Sequence, residues 1–137
     1  MDVLWGPWAA AKVAGQCAPL EDMSVDEALA LFGLPVEGWH ESVARAVSEA
    51  AYLMAVELPE SDERLVAWFE RRPQLRCDVD LSRSGVVLVR ASDGSVCMTV
   101  GRGWVAESWG GGLSCVRGVE SRYRAAFELP ESAYLTV

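Results

Sequence analysis

The sequence predicts an α+β fold: about four N-terminal helices packed on an antiparallel β-meander of four to five strands, then a C-terminal helix and a short final strand. Three observations lead there. Apolar residues recur at helical spacing as far as Pro73, the period changes to two after it, and the alternating segments are joined by turns too short for parallel crossovers. At 137 residues the chain matches the size of one domain, with an acidic helical half over 1–73 and a β-meander half over 74–137.

Pro7 suits the first position of a short helix over Pro7–Val13. Ser24 and Glu27 form a capping box ahead of Ala28, Leu29, Leu31 and Phe32, and Gly33 supplies the stop. From Val36, the residues Trp39, Val43, Val47, Ala50 and Met54 make one apolar stripe, with Glu41, Arg45 and Glu49 paired at i,i+4 on the wet side. Pro59 ends this helix, since proline disfavours a helical residue before it and donates no hydrogen bond. Another helix follows, with Glu60, Asp62 and Glu63 in its first turn and Arg71 and Arg72 in its last, the order favoured by the helix dipole. Leu65, Val66, Trp68 and Phe69 form its apolar face.

In LRCDVDL, Leu75, Cys77, Val79 and Leu81 alternate with charged residues, which predicts a half-buried strand. VVLVRA, VCMTV, WVAESW and LSCVR continue the series, separated by turns at Ser82–Gly85, Ser92–Ser95, Gly101–Gly103 and the glycines 110–112. Val119, Tyr123, Ala126 and Phe127 then fall at helical spacing, and AYLTV supplies a final strand. One recurrence cuts across this order. EAAYLMAVELPES (49–61) returns as ESRYRAAFELPES (120–132), identical at eight of thirteen positions. Its flanks differ in period, so it is expected to be one way of ending a helix used twice, not a duplicated unit.

The net charge of −8 disfavours binding to nucleic acid or anionic lipid, and it is unevenly divided. Residues 1–63 hold twelve acids against Lys12 and Arg45, a balance of −10; residues 64–137 hold eight acids against ten arginines, a balance of +2. Two readings fit this asymmetry: the halves pack together and partly neutralise each other on neighbouring rims, or the acidic half offers a face to a basic partner. No apolar run approaches the ~20 residues of a membrane span. Asp2 and Lys12 do not suit a signal peptide, so the four cysteines are expected as reduced thiols in a cytoplasmic protein.

Reactive constellations are sparse. His40 is the only histidine, and no cysteine pair has metal-ligand spacing, so no cofactor or metal is expected. Asp78 and Asp80 share a strand face with Arg76, an arrangement that fits a solvated face or a small acid-base or Mg²⁺ site. Gly101–Ala106 fits G-x-G-x-x-A but runs into strand instead of helix, so it reads as a tight turn. In GRGWVAESWGGG, Trp104 and Trp109 project to opposite faces of a strand, offering recognition area if either is exposed. The resulting expectation is a small acidic protein-binding module of bacterial or phage origin: an inhibitor, immunity protein or secretion chaperone of a basic partner, with nucleic-acid mimicry as one mode. No catalytic residue is assigned. The expected contact residues are Glu21, Asp22, Asp26, Glu60, Asp62, Glu63, Trp104 and Trp109. The alternatives are a small enzyme or ligand-binding protein with a pocket between helices and sheet, and a subunit of a homo-oligomer or larger assembly.

Overall fold

A computed structural model describes residues 9–10, 42–53, 57–109 and 112–129. Helix α1 spans Val43–Leu53. The Ser42 hydroxyl caps it by accepting the Arg45 N–H at 3.1 Å, and Ser108, on a strand, accepts the Val43 N–H at 3.0 Å. Two amides left open at the helix start are thereby satisfied. Val43, Ala44, Ala46, Val47 and Ala51 are its buried face, small enough to bring the helix close to the sheet. Helix α2 spans Asp62–Glu70, with Ser61 as its N-cap and Leu65, Val66 and Phe69 buried. Arg71 is its C-cap, and Pro73 begins a 3₁₀ turn through Leu75.

The strands are β1 (Arg76–Cys77), β2 (Ser84–Arg90), β3 (Val96–Gly101), β4 (Trp104–Trp109), β5 (Gly112–Arg117) and β6 (Tyr123–Glu128). They form one open antiparallel sheet in the order β1-β6-β2-β3-β4-β5. Side chains alternate between two buried faces. Val87, Val89, Met98, Trp104, Leu113 and Phe127 join the core beneath the helices, which also contains Ala9 and Ala10. Val86, Leu88, Cys97, Val105, Tyr123 and Ala126 form a second cluster, packed by Cys77, Val79 and Leu81.

The expected four-helix half on a four-to-five-stranded meander is therefore corrected. Two α-helices of more than two residues lie among the described residues, and the sheet has six strands. The helix expected over Ser24–Gly33 and the final strand over AYLTV lie outside the described residues, as does the start of the Val36 helix. The C-terminal helix is instead a 3₁₀ turn, Glu120–Arg122, leading into β6. The reason is backbone satisfaction. β2 is buried over Gly85–Arg90, and the two-residue β1 cannot pair its full length. β6 lies beside it, with Val87 opposite Phe127 and Leu88 opposite Ala126.

LRCDVDL is a strand only at Arg76–Cys77. Asp80 turns its carboxylate onto the Ser82 amide and hydroxyl, at 3.0 and 2.6 Å, a local arrangement that competes with strand pairing. Val79 and Leu81 still pack inward, so the segment lies as a strap across the second face. The strap is fixed by the Gly103 amide, which donates to the Leu81 carbonyl at 2.9 Å. Gly101, Arg102 and Gly103 all have positive φ, confirming a tight turn there.

Candidate functional site

Two features stand out: a buried charge cluster on the second sheet face, and a groove where α1 meets α2. The cluster centres on Glu107 of β4, which is fully buried. Its Oε1 accepts Arg122 Nη2 at 2.6 Å and Arg90 Nη1 at 3.5 Å, and its Oε2 accepts the Tyr123 hydroxyl at 2.6 Å. Tyr123 lies on β6 with β2 and β3 between it and β4. In a flat sheet that separation is about 14 Å, beyond the combined reach of the two side chains, so the sheet curls around this contact. The segment after β5 carries Arg122 to the same place.

Arg90, with a side chain only 4% exposed, has its donors engaged. Nε and Nη2 grip Asp93 at 2.9 and 2.6 Å, and both Nη atoms reach the Ser108 carbonyl at 3.3 Å. Its hydrogen bonds to Asp93 raise the Arg90 pKa, and the same contact holds Asp93 well below the usual carboxylate range. Burial, reinforced by the hydrogen bond to Glu107, raises the Tyr123 phenol, which therefore stays a proton donor to the carboxylate. Two guanidinium groups thus face two carboxylates, with short contacts to each. Such an arrangement braces β2, β4 and β6 and leaves little for substrate chemistry.

The thiols point the same way. Cys77, Cys97 and Cys115 are free. Burial pushes Cys97 up to about 12 and Glu107 adds to it, while Cys77 is also raised by burial, so neither favours the reactive thiolate. Asp78 is exposed and Asp80 is committed to Ser82, so these carboxylates do not converge on a site. Among the described residues no three metal-ligating side chains cluster.

The groove is different in kind. The Ser48 hydroxyl donates to the Leu58 carbonyl at 2.8 Å, pinning the loop after α1 beneath it. A hollow of about 650 Å³ results, walled by Leu58, Pro59 and Trp68 and rimmed by Tyr52, Glu57 and Glu60. Glu49 and Arg45 complete its charged border. Tyr52 is 71% exposed, an unusual state for a large aromatic side chain. The guanidinium of Arg72 covers the Trp68 ring at 3.8 Å. A second hollow of about 1160 Å³ adjoins it through Arg45, Leu58, Pro59 and Glu60, and adds Ser42, Ser61, Asp62 and Arg64. Among the described residues, Arg45, Glu57 and Glu60 make no ion pair.

Of the residues expected to contact a partner, Glu60 lines both hollows and Asp62 one. Glu63 is exposed on α2 but lines neither. Trp104 is 4% exposed in the core, with Arg117 over its ring at 4.3 Å, and offers no recognition area. Trp109 ends β4, and its side chain lies outside the described residues, as do Glu21, Asp22 and Asp26. The sequence reading did not single out Tyr52 or Glu57. A signal was present: Tyr52 falls off the Val43–Val47 stripe, so an α1 helix turns it away from the core.

Asp62 combines the first position of α2 with an unsatisfied atom. Its Oδ1 is buried without a hydrogen-bond partner. Burial raises its pKa above the ordinary 3.8, with Asp93 adding to the shift and the Val96 amide and Arg90 opposing it. A raised acid favours the protonated fold, so its stabilising contribution is full below 3.8 and is lost as pH rises through the folded value. Asp62→Asn is therefore expected to raise the urea midpoint at pH 7, and the gap to the wild type should close on acidification towards 3.8. A gap independent of pH would show that the carboxylate carries no such penalty.

No known protein family, curated protein or solved structure matches the chain. No helix among the described residues is long and apolar enough to cross a membrane.

Proposed function

We propose that the chain is a non-enzymatic, cytoplasmic protein-binding module that seats a segment of a basic partner protein in the groove between α1 and α2. The observation that carries this reading is the combination at one place of an exposed Tyr52, an apolar wall of Leu58, Pro59 and Trp68, and the carboxylates of Glu57 and Glu60 without ion pairs among the described residues. An aromatic anchor with an apolar wall supplies area, and the acidic rim supplies steering and selects against acidic partners. The free thiols of Cys77, Cys97 and Cys115 support a reducing compartment. Inhibitor, immunity protein and secretion chaperone are all roles of this class. A partner that ordinarily binds nucleic acid would meet the rim as a phosphate mimic.

A photo-crosslinking residue placed at Tyr52, with Val119 as an exposed control, tests the reading in cells of the native host. Adducts at position 52 on a Lys- or Arg-rich peptide of one protein, absent from position 119, are expected. Equal labelling at both positions, or adducts only on acidic peptides, would remove the groove as a docking site.

A further inference from the structure

We infer that Arg45 is a specificity-determining residue of this groove: a built-in cation, shared by both hollows, that weakens the binding of strongly basic segments and leaves the Tyr52 end to a single cation. This rests on the docking reading above and goes beyond it by assigning the division of charge inside the groove. Around the smaller hollow Glu57 and Glu60 stand against Arg45, a balance of −1, leaving aside Glu49, which is engaged elsewhere. Around the larger hollow stand Glu60 and Asp62 against Arg45 and Arg64, a balance of zero. A cationic side chain is therefore drawn to the smaller hollow, while the larger one, with Ser42 and Ser61, suits uncharged polar chain.

Two aromatic rings line the smaller hollow, and they are not equivalent. Arg72 already lies over Trp68 at 3.8 Å, so Tyr52 is the ring open to an incoming guanidinium or ammonium group. Arg45 borders both hollows, and its backbone is fixed in the first turn of α1 by the bond from its N–H to Ser42. Its like charge opposes any cation seated beside it. The segment that fits is an extended one with a cation at Tyr52 and neutral polar residues running past Ser42 and Ser61.

The test uses the full chain and a fluorescein-labelled hexa-arginine peptide, followed by polarisation at low and at physiological salt. Wild type is expected to bind with an affinity that falls as salt rises. Arg45→Gln should bind about two- to fivefold more tightly, the range of one screened surface charge. The pair Glu57→Gln/Glu60→Gln and, separately, Tyr52→Ala should each bind more weakly, while the single-charge control Glu120→Gln, exposed on the turn before β6, should stay within about twofold of wild type. If wild type binds and Arg45→Gln is equal or weaker, the role assigned to Arg45 is wrong while the groove survives. If nothing binds, or Glu120→Gln loses as much as the Glu57/Glu60 pair, both fall.

Discussion

Glu107→Ala is expected to cost about 3–5 kcal/mol of folding stability, the range for removing one partner from a buried ion pair. The loss would be a large share of the ~5–15 kcal/mol available to a domain. The penalty arises from what remains behind. The Tyr123 hydroxyl loses its acceptor at 2.6 Å, and Arg90, held at 4% exposure, keeps Asp93 and the Ser108 carbonyl but loses a carboxylate on its inner side. Arg122, with its side chain 34% exposed, can turn to water and adds less. Glu107→Gln keeps the shape but sets an amide donor among donors, and about 1–3 kcal/mol is expected. Replacing the whole unit by Glu107→Leu, Arg90→Met and Tyr123→Phe should recover much of the loss, since apolar groups of similar volume need no partners. Urea denaturation followed by far-UV circular dichroism measures all three. A wild-type midpoint in Glu107→Ala would show that the cluster braces nothing.

This cluster also marks a limit of sequence reading. The alternation in VVLVRA and WVAESW places Arg90 on one face with Val86 and Leu88, and Glu107 on one face with Val105. That parity was legible. What local pattern does not carry is that the second face is itself buried, because its cover comes from the strap through Val79 and Leu81 and from the turn that delivers Arg122. Arg90 and Glu107 are seventeen positions apart, and their contact exists only through strand order and sheet curl. The groove was half legible for a similar reason. Glu60 and Asp62 stood out as first-turn acids, whereas Tyr52 came to line the groove only once α2 folded back and set Trp68 on the same hollow.

The repeated stretch makes the same point within one pair of segments. Tyr52 sits in helix α1 at 71% exposure, and its counterpart Tyr123 sits in strand β6 at 6%. Leu58 and Leu129, ahead of the two prolines, are both buried, so the shared ELP tail does keep one property, an inward leucine. Helical spacing of Tyr123, Ala126 and Phe127 was real but outweighed. A neighbouring buried strand with open hydrogen-bonding groups offers more than a short helix can, and local propensity yields to such tertiary context.

Phe127→Ala separates the strand from the helix reading by its size and by its asymmetry with Tyr123. In β6, Phe127 is 1% exposed, opposite Val87 on β2 and Arg76 on β1, and its ring stacks on Phe69 of α2 with centroids 5.1 Å apart. Truncation removes a contact that ties α2 to β6 and opens a cavity, for which about 3–5 kcal/mol is expected. Tyr123→Phe touches the other face. It removes only the hydrogen bond to Glu107, leaves that carboxylate with Arg122 and Arg90, and should cost less, about 1–3 kcal/mol. Because the two side chains lie on opposite sheet faces, the double variant should be additive within about 0.5 kcal/mol. On a shared helical face Tyr123 and Phe127 would be neighbours four positions apart, and their losses would couple. Strong coupling measured by denaturant unfolding would therefore contradict β6, and with it the strand that pairs β2.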